Sequence, residues 1–307
     1  MSALSKNNTL GRRILSHWQL YVLLLPTLVY FIIFKYLPMY GVQIAFRDFM
    51  PQLGIWGSEW VGLDNFKRFF NGFNFWTLLR NTIVLSFYQL AVSFPIPIIL
   101  ALSINYIRGK RFKRATQLAV YAPYFISTVV LVGMLNIFFS LNDGLVNQVL
   151  RMFGGTPKLF LGSESMFRHF YVWSNVWQTM GWNSIIYIAA LSGVNPELHE
   201  AATIDGANKF QRVLHVDLPK ITPTIIIMLI LNVGMIMSLG FEKAYLMQND
   251  MNLGTSEIIS TYVYKVGLID AQYSFSTAVD VFNSIVNMIL LVTMNKLSDK
   301  LSGNSLW

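Results

Sequence analysis

Long apolar stretches alternate with shorter polar ones along the whole chain. A helix needs roughly 20 mostly apolar residues to cross a bilayer. Six stretches reach that length, at 19–40, 77–105, 115–140, 169–194, 221–241 and 277–296. The pattern predicts an all-α integral membrane protein with six transmembrane helices. The polar stretches between them differ in kind. Those at 1–18, 106–114, 195–220 and 297–307 hold most of the basic residues, including Lys6, Arg12, Arg13, Arg108, Lys110, Arg111, Lys113, Arg114, Lys209, Arg212 and Lys220. Those at 41–76, 141–168 and 242–276 mix both signs nearly evenly. Positive charge favours the cytoplasmic side, so both termini and the 195–220 loop are predicted to be cytoplasmic. The chain divides into a tail (1–18), a first helix with its outer loop (19–76), a transmembrane domain (77–296) and a second tail (297–307).

Composition narrows this further. Hydrophobic residues make up 54% of the 307 and charged residues 12%, about half the charged share of a soluble domain. The net charge of +8 would suit nucleic acid. The basic residues sit beside apolar segments instead, which fits topology control and contact with lipid headgroups, with no nucleic-acid partner. The chain has no cysteine, which removes disulfides, a thiolate nucleophile and cysteine metal sites. The apolar run after His17 exceeds a signal-peptide core and lacks a small-residue cleavage site, so the first helix is expected to be retained. Trp56, Trp60, Phe66, Phe69, Phe70, Phe73, Phe75 and Trp76 crowd the first outer loop, as an interfacial belt or an outer cap. No internal repeat is visible. Single-chain secondary transporters often carry two related halves, so six spans without a repeat look like one half of a dimeric pore.

The 195–220 loop has its own pattern. Asn195 is a good N-cap, Pro196 suits the first helical position, and Glu197 complements the helix dipole. Leu198, Ala201 and Ala202 form a small apolar face, and Gly206 can adopt positive φ and end the helix. A second helix is predicted over 208–216, with Phe210, Val213 and Leu214 on one side and Pro219 stopping it. Glu197, Glu200 and Asp205 leave the first helix without a basic residue. That opposes a lipid-surface helix and favours protein docking, with Glu200 offering a charge to a partner Arg or Lys.

The loop reads Glu200-Ala201-Ala202, three residues, Gly206, nine residues, Val216, one residue, then Leu218-Pro219. It resembles the signature loop of permease subunits of type I ATP-binding-cassette (ABC) importers of the maltose and oligosaccharide class, with Val216 where isoleucine is usual. Ile204-Asp205-Gly206-Ala207 resembles the variant of sugar permeases. Leu25-Pro26, Tyr36-Leu37-Pro38-Met39-Tyr40-Gly41, Ala45-Phe46-Arg47-Asp48-Phe49 and Trp60-Val61-Gly62-Leu63-Asp64-Asn65-Phe66 resemble the LplB- and YteP-like polysaccharide, aldouronate and alginate branch. The resemblance covers essentially the whole chain. It implies a bacterial cytoplasmic-membrane subunit for oligosaccharides, often uronate-containing. It implies a second homologous permease subunit, two ABC ATPase subunits that bind ATP and Mg, and an extracytoplasmic solute-binding protein. Glu200, Ala201, Ala202, Asp205, Gly206, Leu218 and Pro219 would then couple to the ATPase.

No Gly-x-x-x-x-Gly-Lys-Ser/Thr phosphate loop, nucleophile elbow or metal-spaced histidine set is present, so no enzyme activity and no cofactor are expected in this chain. His199 and His215 are expected at the solvated surface of the loop or at the ATPase contact. Polar side chains inside spans face a bundle interior or a water-filled path. Asn175, Gln178 and Trp182 recur at helical spacing, as do Asp280, Asn283 and Asn287, and Asn232 stands in segment five. Amides and an aromatic ring suit a sugar path, and interhelical hydrogen bonding is the competing reading. Lys35 either snorkels outward or meets a uronate carboxylate. Pro95 and Pro97 predict a kink in segment two. The rival functions are an ion-coupled secondary transporter acting alone, which lacks its repeats here, and a poreless scaffold, which leaves the polar faces unexplained.

Overall fold

The computed structural model describes residues 17–303, 305 and 306. Lys6, Arg12 and Arg13, and with them most of the first tail, lie outside the described residues, as do Asn304 and Trp307 of the second. Among the described residues the regular structure is helical, apart from one antiparallel pairing of β1 (Arg47–Asp48) with β2 (Glu59–Trp60) in the outer loop, which places Arg47 opposite Trp60.

The first helix, α1 (Trp18–Phe31), runs on through a π turn at Ile32–Tyr36 and a 3-10 stretch at Tyr40–Phe46 as one 29-residue span. None of its apolar window is buried. Only its far end packs, where Tyr40–Phe46 meets α12 (Tyr273–Ser302). Lys35 sits exposed on the π turn. The aromatic loop then builds a cap: Phe46 stacks on Trp60 at 5.6 Å, and the Arg47 guanidinium lies 5.4 Å from the Trp60 ring. α2 (Asp64–Phe70) buries Phe69 against Phe75, Phe275 and Phe282.

Segment two becomes α3 (Phe75–Ser93) and α4 (Pro95–Asn105), joined at Phe94 into one span of 31 residues. Segment three departs from expectation. It forms α5 (Lys110–Tyr121), a 3-10 turn at Ala122–Phe125 and α6 (Thr128–Phe138), bent by 97° rather than straight. Pro123 cannot donate to a helical ladder. Ile126 is extended, and Ser127 starts a new helix by accepting from the N–H of Val130. The basic run Lys110–Arg114 therefore lies inside a helix rather than in a loop. α7 (Glu164–Ser192) is the central element. It packs most extensively on α4 and also touches α3, α5 and α10 (Leu218–Gly234). A Cβ at Gly181 would collide with the Val120 carbonyl, so α5 and α7 cross backbone to backbone there.

Two further boundaries move. Pro219 does not stop the second loop helix. A π turn over Val213–Asp217 precedes it, and one 26-residue helix runs from Lys209 to Gly234. Proline lacks an N–H and its ring crowds the carbonyl four residues back, and a widened turn accommodates both. Segment five then ends at Gly234 rather than 241, and the chain continues non-helically to α11 (Phe241–Met247).

Among the described residues four helices are long and apolar enough to cross a membrane, and the bent pair makes five. The remaining expected span, segment four at 169–194, falls in α7. That helix has 29 residues, about 43 Å at 1.5 Å each. It is absent from the apolar set and carries Asn175, Gln178 and Asn183.

Candidate functional site

The predicted site residues fall in two places. The first is the loop after α7. There α8 (Pro196–Ile204) is capped by Asn195, whose side chain accepts from the Glu197 N–H at 3.1 Å. α8 closes with a Schellman turn: the Ala207 N–H donates to the Ala202 carbonyl at 2.8 Å and the Gly206 N–H to the Thr203 carbonyl at 3.1 Å. That turn requires a left-handed residue, and Gly206 has φ +79°. Asn208 and Gln211 then exchange side-chain and backbone hydrogen bonds in a capping box that starts α9 (Lys209–Arg212). The order of helix, glycine turn and helix follows the expectation.

Glu200, Ala201, Asp205 and Gly206 are exposed, and Ala202 is half-buried. Ile204 and Phe210, 86% and 74% exposed, stand among these charged neighbours. Both are large apolar side chains left bare on an otherwise polar loop. Leu218 and Pro219 lie beyond the π turn, at the start of α10.

His199 departs from expectation. It is half-buried and turns inward, with Nε2 3.2 Å from Oδ1 of Asp217. The contact is within ion-pair range but lacks the alignment of a hydrogen bond. Asp217 is wholly buried, and its other oxygen accepts from the Tyr106 hydroxyl at 2.7 Å. Burial and that hydrogen bond push the Tyr106 hydroxyl up to about 12. Arg212 donates to Thr203 Oγ1 at 3.1 Å and lies 5.7 Å from the Tyr106 ring. None of this cluster follows from the spacing of residues along the chain.

The second place is a cavity of about 360 Å³ between α3, α4, α7 and α10, closed by the non-helical stretch after Gly234. Asn175 and Asn232 line it, together with Asn183 and Tyr187 of α7. Asn232 donates through Nδ2 to the Met228 carbonyl at 2.7 Å.

α3 supplies a wall that the sequence reading missed. Ser86, Gln89 and Ser93 line the cavity, and each has a buried side-chain oxygen without a hydrogen-bond partner in the chain. Buried polar atoms are normally paired with protein or water, so these three have capacity for a guest. Their spacing of three and four was the available signal, obscured by the apolar residues around them.

The remaining path candidates lie elsewhere. Trp182, 44% exposed, stacks on Tyr124 with centroids 4.3 Å apart and planes 3° from parallel. Gln178 donates to the Ile126 carbonyl at 2.7 Å. Both brace the bend between α5 and α6. The Asn287 side chain accepts from the Met237 N–H at 3.0 Å and donates to Ser238 Oγ at 2.8 Å, and Asn283 donates to the Met237 carbonyl at 3.4 Å. These two satisfy the backbone where α10 has unwound, and so hold the cavity wall from behind. Asp280 is exposed and does not line the cavity.

Spans around a polar-lined cavity, joined to an exposed helical loop, fit a membrane permease subunit. Residues 93–301 match the family described as the binding-protein-dependent transport system inner membrane component, and the chain belongs to that family. It is similar to protein LplB of Bacillus subtilis, 44% identical over 94% of this chain and 91% of that one. It is also similar to the B. subtilis polygalacturonan/rhamnogalacturonan transport system permease protein YteP, 42% identical over 98% of this chain and 94% of that one. Its fold matches a chain of a bacterial alginate ABC transporter solved in complex with an alginate pentasaccharide-bound periplasmic protein. The TM-score is 0.88 and the identity 37%, over 97% of this chain and 99% of that one.

Proposed function

We propose that this chain is one of two homologous permease subunits of an ATP-driven importer, and that its cargo is a uronate-containing oligosaccharide. The observation that carries this is the cavity: three asparagines, a tyrosine and three unpaired α3 polar groups around about 360 Å³. That volume lies in the range of small-molecule sites. Amides and hydroxyls suit sugar hydroxyls, and Tyr187, Phe94 and the methionines suit sugar C–H faces. The relatives named for polygalacturonan, rhamnogalacturonan and alginate support an acidic cargo.

In this reading a pair of ATPase subunits grips the loop through Glu200, Ala201, Ala202, Asp205 and Gly206, with Ile204 and Phe210 as apolar anchors. Leu218 and Pro219 connect the loop to α10. A solute-binding protein delivers cargo at the opposite face, beside the aromatic cap. α7 is the remaining span, fourth in chain order and polar because it lines the path, and both termini are cytoplasmic. The tolerance of α7 for Asn175 and Asn183 follows from their place on the cavity wall.

The test is uptake of labelled galacturonate and alginate oligomers, with neutral oligomers as control, by the four-part importer in proteoliposomes. Asn232→Leu and Gln89→Leu should each reduce uptake of the accepted oligomer about tenfold, the scale of one lost buried hydrogen bond to a sugar, while assembly persists. Preference for neutral oligomers overturns the acidic cargo, and unchanged uptake in both variants overturns the cavity as the path.

A further inference from the structure

The buried cluster behind α8 joins three elements at one carboxylate. α8 carries His199 on its inner side. Asp217 ends the π turn that opens α10, and Tyr106 follows α4 directly. α10 lines the cavity through Met228 and Asn232, and α4 through Pro97. From the buried side chains and their separations, we propose that Asp217 is a positioning residue. It latches the docking helix to the feet of both cavity-lining helices, so that a pull on α8 reaches α4 as well as α10.

The argument rests on connectivity and cost. α8 is covalently linked to α10 through Gly206 and α9, so α10 can follow it along the chain. α4 has no such link. It packs on α7 and α10 through Ile98, Ala101, Tyr187, Leu191 and Ile221, and its direct contact with the loop runs through the Tyr106 hydroxyl on Asp217 at 2.7 Å and the Arg212 guanidinium 5.7 Å from the Tyr106 ring. A carboxylate with no exposed surface is expensive to leave unpaired. Separating Tyr106 or His199 from it is therefore strongly resisted, and the three elements move as one body. The π turn contributes directly, since a widened turn re-aims the residue at its end, and such turns recur at functional sites.

This inference rests on the docking reading of the loop, and the experiment keeps the two apart. The chain contains no cysteine, so spin labels at Arg108→Cys and Glu197→Cys, combined with cysteine-free partner subunits, report the separation of the α4 foot from α8. In the complete importer with its ATPase subunits bound, that separation should stay narrow and unchanged when ATP is added. With Tyr106→Phe, which removes one hydroxyl, or Asp217→Ala, it should broaden and shift on ATP addition. ATPase subunits should still co-purify and hydrolyse ATP, and uptake per ATP should fall about tenfold, or about 1.4 kcal/mol of coupling. Asp217→Asn keeps an acceptor for Tyr106 and should restore part of the ratio, which a generally destabilised fold would not do. Tyr106→Phe keeps the ring, so it tests the latch even if Asp217→Ala fails to assemble. A narrow, unmoved separation in Tyr106→Phe with a normal uptake-to-hydrolysis ratio overturns the latch alone. ATPase subunits that bind equally well after Gly206→Val and Glu200→Lys overturn the docking reading, and the latch with it.

Discussion

Replacing Gly206 by valine isolates a single physical effect. The residue has φ +79°, and a Cβ built there meets nothing within 4 Å. A side chain is therefore penalised through the backbone alone. The left-handed region costs an L-residue about 1–2 kcal/mol, and a β-branched residue lies at the costly end. Asparagine visits the region several-fold more readily than most residues. The Schellman closure, with the Ala207 N–H on the Ala202 carbonyl, forms only in this backbone conformation. A valine loop thus relaxes away from the docking shape, and ATPase binding must regain it. Two kilocalories correspond to about thirtyfold in affinity. Titrating ATPase subunits onto the detergent-purified permease pair should give about thirtyfold weaker binding for Gly206→Val and at most a few-fold loss for Gly206→Asn. Membrane insertion should be unaffected in both, because the loop lies outside the spans. Valine binding like the parent would refute the backbone argument. Asparagine as harmful as valine would relocate the effect to close approach of the ATPase.

Three other outcomes follow from particular contacts. Trp182→Ala should lower thermal stability by about 2 kcal/mol, less than a fully buried tryptophan because the ring is 44% exposed. Uptake per folded complex should stay normal, and an uptake defect at unchanged stability would return Trp182 to the cargo path. Lys243 is buried with Nζ 2.9 Å from the Tyr171 carbonyl, and burial pulls its ammonium down from 10.5 to about 7. The unfolded chain then binds the extra proton between those pH values, so stability rises with pH across that window and the penalty is complete below it. Lys243→Met should flatten this dependence and stabilise the protein near and below pH 7, as read by melting in detergent at several pH values. Gly181→Leu should force α5 and α7 apart at Val120 and abolish assembly, scored by size-exclusion chromatography, and normal assembly would mean that the helices do not cross there.

The sequence disclosed elements whose cause is local. Asn195, Pro196 and Gly206 act within a few residues of themselves, through capping, fixed φ and positive φ, so the loop could be read from its letters. The apolar segments reported helices for the same reason. What stayed hidden depends on which elements meet. The 97° bend needed Pro123 and Ser127 to be weighed against the apolar run around them, and hydropathy is blind to that competition. Gln178 and Trp182 had the right spacing for one shared face. That spacing cannot tell a cavity from the neighbouring bend, and both residues turned to the bend.

The polar residues of the spans therefore separate by what the backbone near them lacks. Where α10 unwinds after Gly234, free N–H and carbonyl groups appear at Met237, and Asn283 and Asn287 bond to them. Where α5 gives way to α6, the Ile126 carbonyl is free and Gln178 takes it. α3 is unbroken between Phe75 and Ser93, so the carbonyls and N–H groups around Ser86 and Gln89 are spent in its own ladder. Ser86 and Gln89 consequently find no broken backbone to repair and retain unused oxygens facing the cavity, and Ser93, beside the Phe94 junction, retains its own as well. In these spans Asn283, Asn287 and Gln178 serve nearby helix breaks, whereas an amide or hydroxyl in the middle of an intact helix is free for water or cargo. By that criterion the intact middle of α7 keeps Asn175 and Asn183 for the path. The opposite wall belongs to α3, whose serines and glutamine are as much candidates for sugar contact as the asparagines.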